Sequence, residues 1–230
     1  LTPLTALILG RLALEAGIPP GVLNVVPGLG PVAGAALVEH PDVAKVVFTG
    51  GTEPGRGVAV AAARRFAKAT VELGGKTPVI VFDDMDPKVS ARGAAFGGFI
   101  GAGQTCIAGT RILVQETIYD EFVRALVEQA ENIRVGDPAS AATQLGPVIS
   151  ARSRQRILDF VKAGVAEGAR LATGGTAVNV PGLSGFFVAP TVLADVTNQM
   201  RVAREEIFGP VVVVIPFSDE ADAIRQANDS

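Results

Sequence analysis

Residues 43–55 read Val43-Ala-Lys-Val-Val-Phe-Thr-Gly-Gly-Thr-Glu-Pro-Gly55 and indicate the fold class of this chain. It opens with a short apolar run, Val43 to Phe48, which is typical of a buried strand and ends at a Gly-rich turn. An Ala-rich helical pattern follows from Arg56 to Lys68. A strand, a Gly-rich turn and a helix in this order predict an α/β fold with a parallel sheet.

The same turn is a candidate anion site. Backbone N–H groups and the N-terminus of the next helix can face a phosphate there. The glycines at Gly50, Gly51 and Gly55 do not follow the Gly-x-Gly-x-x-Gly spacing of dinucleotide-binding turns, so an ordinary turn is the alternative.

Strands and helices alternate on both sides of this turn. The patterns predict strands at 22–26, 43–48, 70–73, 77–82, 111–115, 171–173, 187–192 and 211–217. They predict helices at 4–16, at a segment ending at 38, at 56–68, 87–100, 119–133 and 150–167, and after 218. The paired glycines Gly74-Gly75 suggest two domains, 1–73 and 74–230.

Composition narrows the classes of function. Hydrophobic residues make up 48% and charged residues 19% of the 230 residues, as in compact globular proteins. A net charge of −3 gives no reason to expect nucleic acid or an anionic membrane as a partner. No apolar run reaches the roughly 18 residues of a membrane helix. The single cysteine excludes an internal disulfide and favours a reducing compartment such as the cytoplasm.

Two residues are candidates for covalent chemistry. Cys106 is the only cysteine and lies among glycines in Gly101-Ala-Gly-Gln-Thr-Cys-Ile-Ala-Gly-Thr110. Glu72 lies among small and apolar neighbours in Val71-Glu-Leu-Gly-Gly-Lys-Thr-Pro78, which predicts a sheltered carboxylate. A thiolate that attacks a carbonyl and a carboxylate that takes up a proton form a plausible pair. The alternatives are a buried structural cysteine and a surface or capping carboxylate.

Four blocks of sequence carry a family resemblance. They are Phe48-Thr-Gly-Gly-Thr-Glu-Pro-Gly55, Val71-Glu-Leu-Gly-Gly-Lys76, Gly103-Gln-Thr-Cys-Ile-Ala-Gly109 and Glu205-Glu-Ile-Phe-Gly-Pro210. Together and in this order they resemble the signature blocks of the NAD(P)-dependent aldehyde dehydrogenase superfamily. The resemblance covers essentially the whole chain. It implies the end of a Rossmann-like cofactor-binding domain followed by most of a parallel-sheet catalytic domain.

The resemblance also implies roles for individual residues. Cys106 matches the nucleophile that forms a thiohemiacetal and then a thioester, and Glu72 matches the base that activates the hydrolytic water. The positions that match cofactor contacts are Gly50, Gly51, Gly55, Leu73, Glu206 and Phe208. The implied cofactor is NAD or NADP, the substrate is a small aldehyde, and no metal is involved. Lys76 is expected to be structural.

The departures from the family pattern leave alternatives open. Gly51 stands where the family commonly has Ser. The family's oxyanion-hole Asn and adenosine-ribose Lys would precede Leu1, so we expect a central fragment of a homo-oligomeric enzyme. An inactive domain that keeps the fold is therefore one alternative. A dehydrogenase that passes the thioester to coenzyme A is another, although Glu72 argues against it.

Overall fold

The chain divides into two units, Leu1–Gly74 and Gly75–Ser230, in a computed structural model that describes residues 1–229. Both units combine helices with parallel strand pairs, as the α/β prediction required. Among the described residues, no helix is both long and apolar enough to cross a membrane.

The first unit is built on one parallel strand pair. Its elements in chain order are α1 (Leu4–Glu15), a π-helical turn (Gly30–Gly34) that continues as α2 (Ala35–Glu39), β1 (Lys45–Gly50), α3 (Thr52–Ala63) and β2 (Lys68–Leu73). β1 pairs with β2 in parallel, with Thr49 opposite Glu72 and Gly50 opposite Leu73. The predicted order of strand, turn, helix and strand is therefore confirmed.

The strand predicted at 22–26 is wrong. Within the described residues this segment pairs with no other strand, and Val22 and Val26 are 70% and 63% exposed. The Asn24 side-chain amide donates to the Gly21 carbonyl at 2.8 Å, which holds a turn at the start of the segment. An apolar run without a partner strand has no way to pair its backbone groups in a sheet.

The second unit is built on a five-stranded sheet. Its elements are β3 (Pro78–Val81), α4 (Pro87–Phe99), a 3₁₀ turn (Ile100–Gly103), β4 (Arg111–Gln115), a second 3₁₀ turn (Glu116–Ile118), α5 (Tyr119–Glu131), α6 (Ala151–Ala166), β5 (Arg170–Thr173), β6 (Ala177–Val178), β7 (Phe187–Val188), β8 (Thr191–Ala194), α7 (Arg201–Arg204), β9 (Val211–Phe217) and α8 (Glu220–Asn228). The strand order is β3-β4-β9-β8-β5. All neighbours are parallel except the edge strand β5, which runs antiparallel to β8.

Alternating side chains of the central strands build a core on each face of this sheet. On β9, Val212 and Val214 pack with the Ala-rich face of α4 and with Phe122 and Leu126 of α5. Their neighbours Val211, Val213 and Ile215 pack on the opposite face, in a cluster that also contains side chains of α6, α7 and α8. The sheet is thus a central layer between helices, which is why its strands read as continuous apolar runs.

The strand predicted at 187–192 is interrupted. Phe187–Val188 pairs with β6, whereas Thr191–Ala194 joins the main sheet. Pro190 has no N–H group to donate to a ladder, and the Thr191 hydroxyl donates back to the Ala189 carbonyl at 2.8 Å. The chain therefore changes sheets at this proline.

Candidate functional site

Three loops of the second unit enter neighbouring parallel strands at the same edge of the sheet. Lys76 precedes β3, Cys106 precedes β4, and Glu206 precedes β9. Because β3, β4 and β9 are adjacent and parallel, their amino ends lie side by side. The fold thus brings the thiol loop next to the segment that contains Glu206 and Phe208.

A left-handed turn sets the position of the thiol loop. Gly101, Ala102 and Gly103 have φ values of 60°, 57° and 67°, and this reverses the chain at the end of α4. The Gln104 side chain fixes the loop further, since its amide nitrogen donates to the Gly101 carbonyl at 3.3 Å. Its amide oxygen accepts from the Ile149 N–H at 2.9 Å, which ties the loop to the segment before α6.

Cys106 lies at the tip of this loop as an exposed, free thiol. The Ala108 N–H donates to the Thr105 carbonyl at 3.0 Å and closes a tight turn around it. Within residues 1–229 the Cys106 N–H makes no hydrogen bond, so it is free to bind an oxygen atom. The prediction of a buried structural cysteine, the alternative raised by the sequence, does not hold.

The thiol loop is in backbone contact with the segment that contains Glu206 and Phe208. A Cβ atom at Gly103 would overlap the Gly209 carbonyl and lie 2.8 Å from the Pro210 nitrogen. Phe208 has a φ of 53°, a left-handed conformation that is uncommon for a bulky residue. Strain of this kind persists only where the surrounding contacts impose it, and it often marks a ligand site.

Arg156 on α6 holds the same segment from the other side, and the sequence did not point to it. Its guanidinium donates to the Glu206 carbonyl at 3.2 Å and to the Ile207 carbonyl at 2.6 Å. These bonds fix the backbone while the Glu206 carboxylate, on a half-buried residue, accepts no hydrogen bond within the described chain. The sequence shows Arg156 only as one cation on an amphipathic helix, which is usually a solvated position.

Lys76 is the most unusual charged residue of this edge. It is 5% exposed, and its amine has no hydrogen-bond partner in the described residues. Burial, with a smaller effect of the Arg111 charge, lowers the pKa of Lys76 from 10.5 to about 7, against the opposing effect of Glu206. The sequence predicted a structural lysine and gave no sign of its burial.

Four of the six expected cofactor residues lie in the first unit, at or just after the carboxyl ends of β1 and β2: Gly50, Gly51, Gly55 and Leu73. Gly51 precedes α3 as its N-cap, and its carbonyl accepts from the Gly55 N–H at 3.0 Å. A Cβ atom at Gly55 would overlap Leu73 and approach the Phe48 ring. The turn therefore needs glycine for packing, and it leaves the N-terminus of α3 open for an anion.

An apolar cleft lies between α2 and α3, and the sequence did not predict it. Its volume is about 530 Å³, and its walls include Gly34, Val38, Phe48, Pro54, Val58 and Ala61. The sequence indicates this cleft only through the small residues on the two helices. Such residues are equally typical of helices that pack closely and leave no cleft.

Glu72 is the penultimate residue of β2 in the first unit, whereas Cys106 lies in the second. The sheltered environment predicted for Glu72 is wrong, because the residue is exposed. All six residues of β2 are exposed, since the strand has a single partner.

Within residues 1–229 no three His, Cys, Asp or Glu side chains are grouped in a way that could hold a metal ion.

The second unit is thus an α/β unit with an exposed thiol on a loop that contacts the strained segment of Phe208. Comparison with known proteins identifies its family. The family model described as "Aldehyde dehydrogenase family" matches residues 1–230, and the chain belongs to this family. The sequence resemblance is thereby confirmed.

Two betaine aldehyde dehydrogenases, from Brucella ovis and Brucella melitensis biotype 1, are each 50% identical to this chain over 230 residues. Each match covers 100% of this chain and 47% of the relative, so the chain spans about half the length of the curated relatives it matches.

Two solved structures of aldehyde dehydrogenases are also similar to this chain over its whole length. An NAD+ complex of aldehyde dehydrogenase from Bacillus cereus is 43% identical, with a TM-score of 0.95, over 100% of this chain and 46% of that one. A betaine aldehyde dehydrogenase from Staphylococcus aureus in complex with NAD+ is 42% identical, with a TM-score of 0.96, over 100% of this chain and 46% of that one.

Proposed function

We propose that this chain supplies the nucleophile and cofactor contacts for the NAD(P)-dependent oxidation of an aldehyde to a carboxylic acid. The observation that carries the proposal is the exposed thiol of Cys106, on a loop whose backbone contacts the segment with Glu206 and Phe208. Membership of the aldehyde dehydrogenase family supports the reaction class. Residues 1–73 would then belong to the cofactor-binding domain and residues 74–230 to the catalytic domain.

The residues present are suited to a dinucleotide cofactor. The apolar cleft between α2 and α3 has the size and lining for a planar base, and the open N-terminus of α3 can hold phosphate. The Glu206 carboxylate, with no partner in the described chain, can accept from ribose hydroxyls, and Phe208 is 39% exposed beside it. When bound, the nicotinamide ring accepts the hydride that leaves the aldehyde carbon. We propose NAD rather than NADP as the cofactor, because two related structures contain bound NAD+.

Cys106 would act as the nucleophile. Its thiolate forms a bond to the aldehyde carbon, and the carbonyl oxygen gains negative charge that the Cys106 N–H can stabilise. Loss of hydride from that carbon leaves a thioester on the sulfur. The chemistry requires a reduced thiol, so we infer a reducing location such as the cytoplasm.

Glu72 would act in the second half of the reaction. Its carboxylate takes a proton from a water molecule as the water oxygen bonds to the thioester carbon and the carbon–sulfur bond breaks. The products are a carboxylic acid and the free Cys106 thiol. Exposure of Glu72 at the end of β2 is compatible with access to water.

The substrate would be a small aldehyde, and betaine aldehyde is the first to test because the relatives of 50% identity are betaine aldehyde dehydrogenases. The experiment follows NADH formation by the purified chain with betaine aldehyde and an uncharged aldehyde of similar size. We expect NADH from the chain and none from Cys106→Ser. Equal NADH formation by both proteins would reject the proposal. If neither forms NADH, the inactive-domain alternative takes its place.

We further propose that the chain self-associates, as the resemblance implies. Several large apolar side chains are open to solvent, among them Phe96 at 71% and Ile107 at 77% exposure. Exposed apolar surface of this kind favours association. Light scattering at increasing protein concentration tests this, and a constant monomer mass would contradict it.

A further inference from the structure

The Lys76 amine is buried without compensation. The side chain cannot extend to solvent, because the residue is only 5% exposed and its amine has no partner in the described chain. The backbone is fixed too, since the Arg111 guanidinium donates to the Lys76 carbonyl at 3.2 Å. A charged amine in such a place is costly, and removal of its proton relieves the cost.

Two charged groups act on this amine. Arg111 on β4, itself fully buried, disfavours a second positive charge. Glu206, on the segment before β9, favours the positive charge. Lys76 and Glu206 lie on the segments that enter β3 and β9, at the same edge of the sheet. Among the described residues the two do not form an ion pair, so the charge of Glu206 acts on the amine over a longer distance. The pKa of Lys76 is lowered to about 7, so the amine can gain or lose its proton near neutral pH.

The cofactor would add a third charge at the same place. Under the proposed function, on which this inference rests, Glu206 holds the nicotinamide ribose. The oxidised ring carries a positive charge on the nitrogen that is bonded to this ribose, whereas the reduced ring is uncharged. A positive charge held beside Glu206 therefore competes with a proton on Lys76 for the same carboxylate.

We propose that Lys76 is a positioning residue, acting through Glu206, that releases its proton to solvent when the oxidised cofactor binds and retains it when the reduced cofactor binds. Proton release and uptake involve solvent only, and no electron is transferred to or from the amine. The ratio of the affinity for NAD+ to that for NADH then rises as the pH rises through about 7. The linkage is reciprocal: the factor by which a proton on Lys76 changes the affinity for a cofactor equals the factor by which that cofactor changes the affinity of Lys76 for the proton.

The experiment measures the affinities of NAD+ and NADH for the purified chain by calorimetric titration from about pH 6 to about pH 8. We expect the NAD+/NADH affinity ratio to rise about three- to tenfold over this range, as expected for like charges in a partly buried site. In Lys76→Met, which keeps the length of the side chain without the charge, the ratio should not change with pH. The exposed Lys162→Met is the matched control and should behave as the unaltered chain.

The titration distinguishes a failure of the role of Lys76 from a failure of the proposed function. Binding of both forms with a ratio that is constant with pH would overturn the role of Lys76 and leave the proposed function intact. The same slope in Lys76→Met as in the unaltered chain would do so too. If neither form binds at any pH, the proposed function of the chain fails, and this inference fails with it.

Discussion

Gly103 and Gly209 lie in direct backbone contact, with no room for a Cβ atom at residue 103. The first belongs to the loop of the thiol, and the second follows the segment of Glu206 and Phe208. Gly209 is itself covered by Ile157 of α6, the neighbour of Arg156. The contact means that the thiol loop cannot shift without disturbing the segment proposed to hold the cofactor ribose.

Gly103→Ala should therefore destabilise the second unit. A methyl group would collide with the Gly209 carbonyl, and the φ of 67° would strain any residue with a side chain. We expect a loss of about 1–3 kcal/mol in the free energy of unfolding. Urea denaturation measures it, with the exposed helical Gly93→Ala as control, because a methyl group at residue 93 meets no atom within 4 Å. An equally small effect of both substitutions would argue against the tight contact.

The cleft between α2 and α3 can be tested by filling it. Val58 lines the cleft, whereas Val60, on the same helix, does not line it and is 47% exposed. Val58→Trp should lower the affinity for NAD+ at least about tenfold, since a bulky ring would occupy the space for the base. Val60→Trp should bind NAD+ as the unaltered chain does. Calorimetric titration gives both affinities, and comparable binding by the two variants would exclude this cleft as part of the cofactor site.

The lowered pKa of Lys76 predicts how stability depends on pH. Between about pH 7 and pH 10.5 the amine is mostly neutral in the folded chain and protonated in the unfolded chain. Unfolding then takes up a proton, so the free energy of unfolding rises with pH, by at most about 1.4 kcal/mol per pH unit. Below about pH 7 both states are protonated and this contribution to the slope vanishes.

Lys76→Met should flatten that slope and stabilise the chain at neutral pH, because it removes an unpaired buried amine. Chemical denaturation at several pH values between about 7 and 10 measures the slope. The Lys162→Met variant, altered at an exposed position, serves as the control. A slope in Lys76→Met as steep as in the control would show that Lys76 titrates normally.

Arg111 should be the most important charged residue for stability in the second unit. It is fully buried and donates to the Asn198 side chain at 2.9 Å and to carbonyls at the end of α8, including Ala227 at 2.7 Å. Arg111→Ala would leave these acceptors without donors, at a cost of about 3–5 kcal/mol. Arg124→Ala, at an exposed position of α5, should change stability by less than about 0.5 kcal/mol. Thermal and urea denaturation distinguish the two, and similar values would contradict the anchoring role.

The sequence predicted those elements whose signal is local. Arg111–Gln115 and Val211–Phe217 have the predicted bounds because a strand buried on both faces reads as one continuous apolar run. The run at 22–26 has the same local signal but lacks a partner strand, and its exposure follows from that. A local pattern cannot show whether a second strand is available.

The site was only partly predictable for a related reason. Motifs identified Cys106 and Glu206, but their shared edge depends on the pairing of β4 with β9, which lie far apart in sequence. The environment of Lys76 depends on another pairing, that of β3 with β4, because Arg111 at the start of β4 donates to the Lys76 carbonyl. Contacts between residues that are far apart in sequence cannot be predicted from the spacing of residues within a motif.

In the proposed mechanism, Cys106 carries the acyl group and Glu72 promotes its hydrolysis. The most direct measurement is the intact mass of Glu72→Gln after mixing with NAD+ and an aldehyde, with Cys106→Ser and Glu72→Asp treated in the same way. We predict that Glu72→Gln gains the mass of one acyl group, bound through sulfur, because attack continues while hydrolysis stops. Cys106→Ser should gain nothing, and Glu72→Asp should accumulate less. An unchanged mass of Glu72→Gln, or the same added mass on Cys106→Ser, would contradict the proposed roles of both residues.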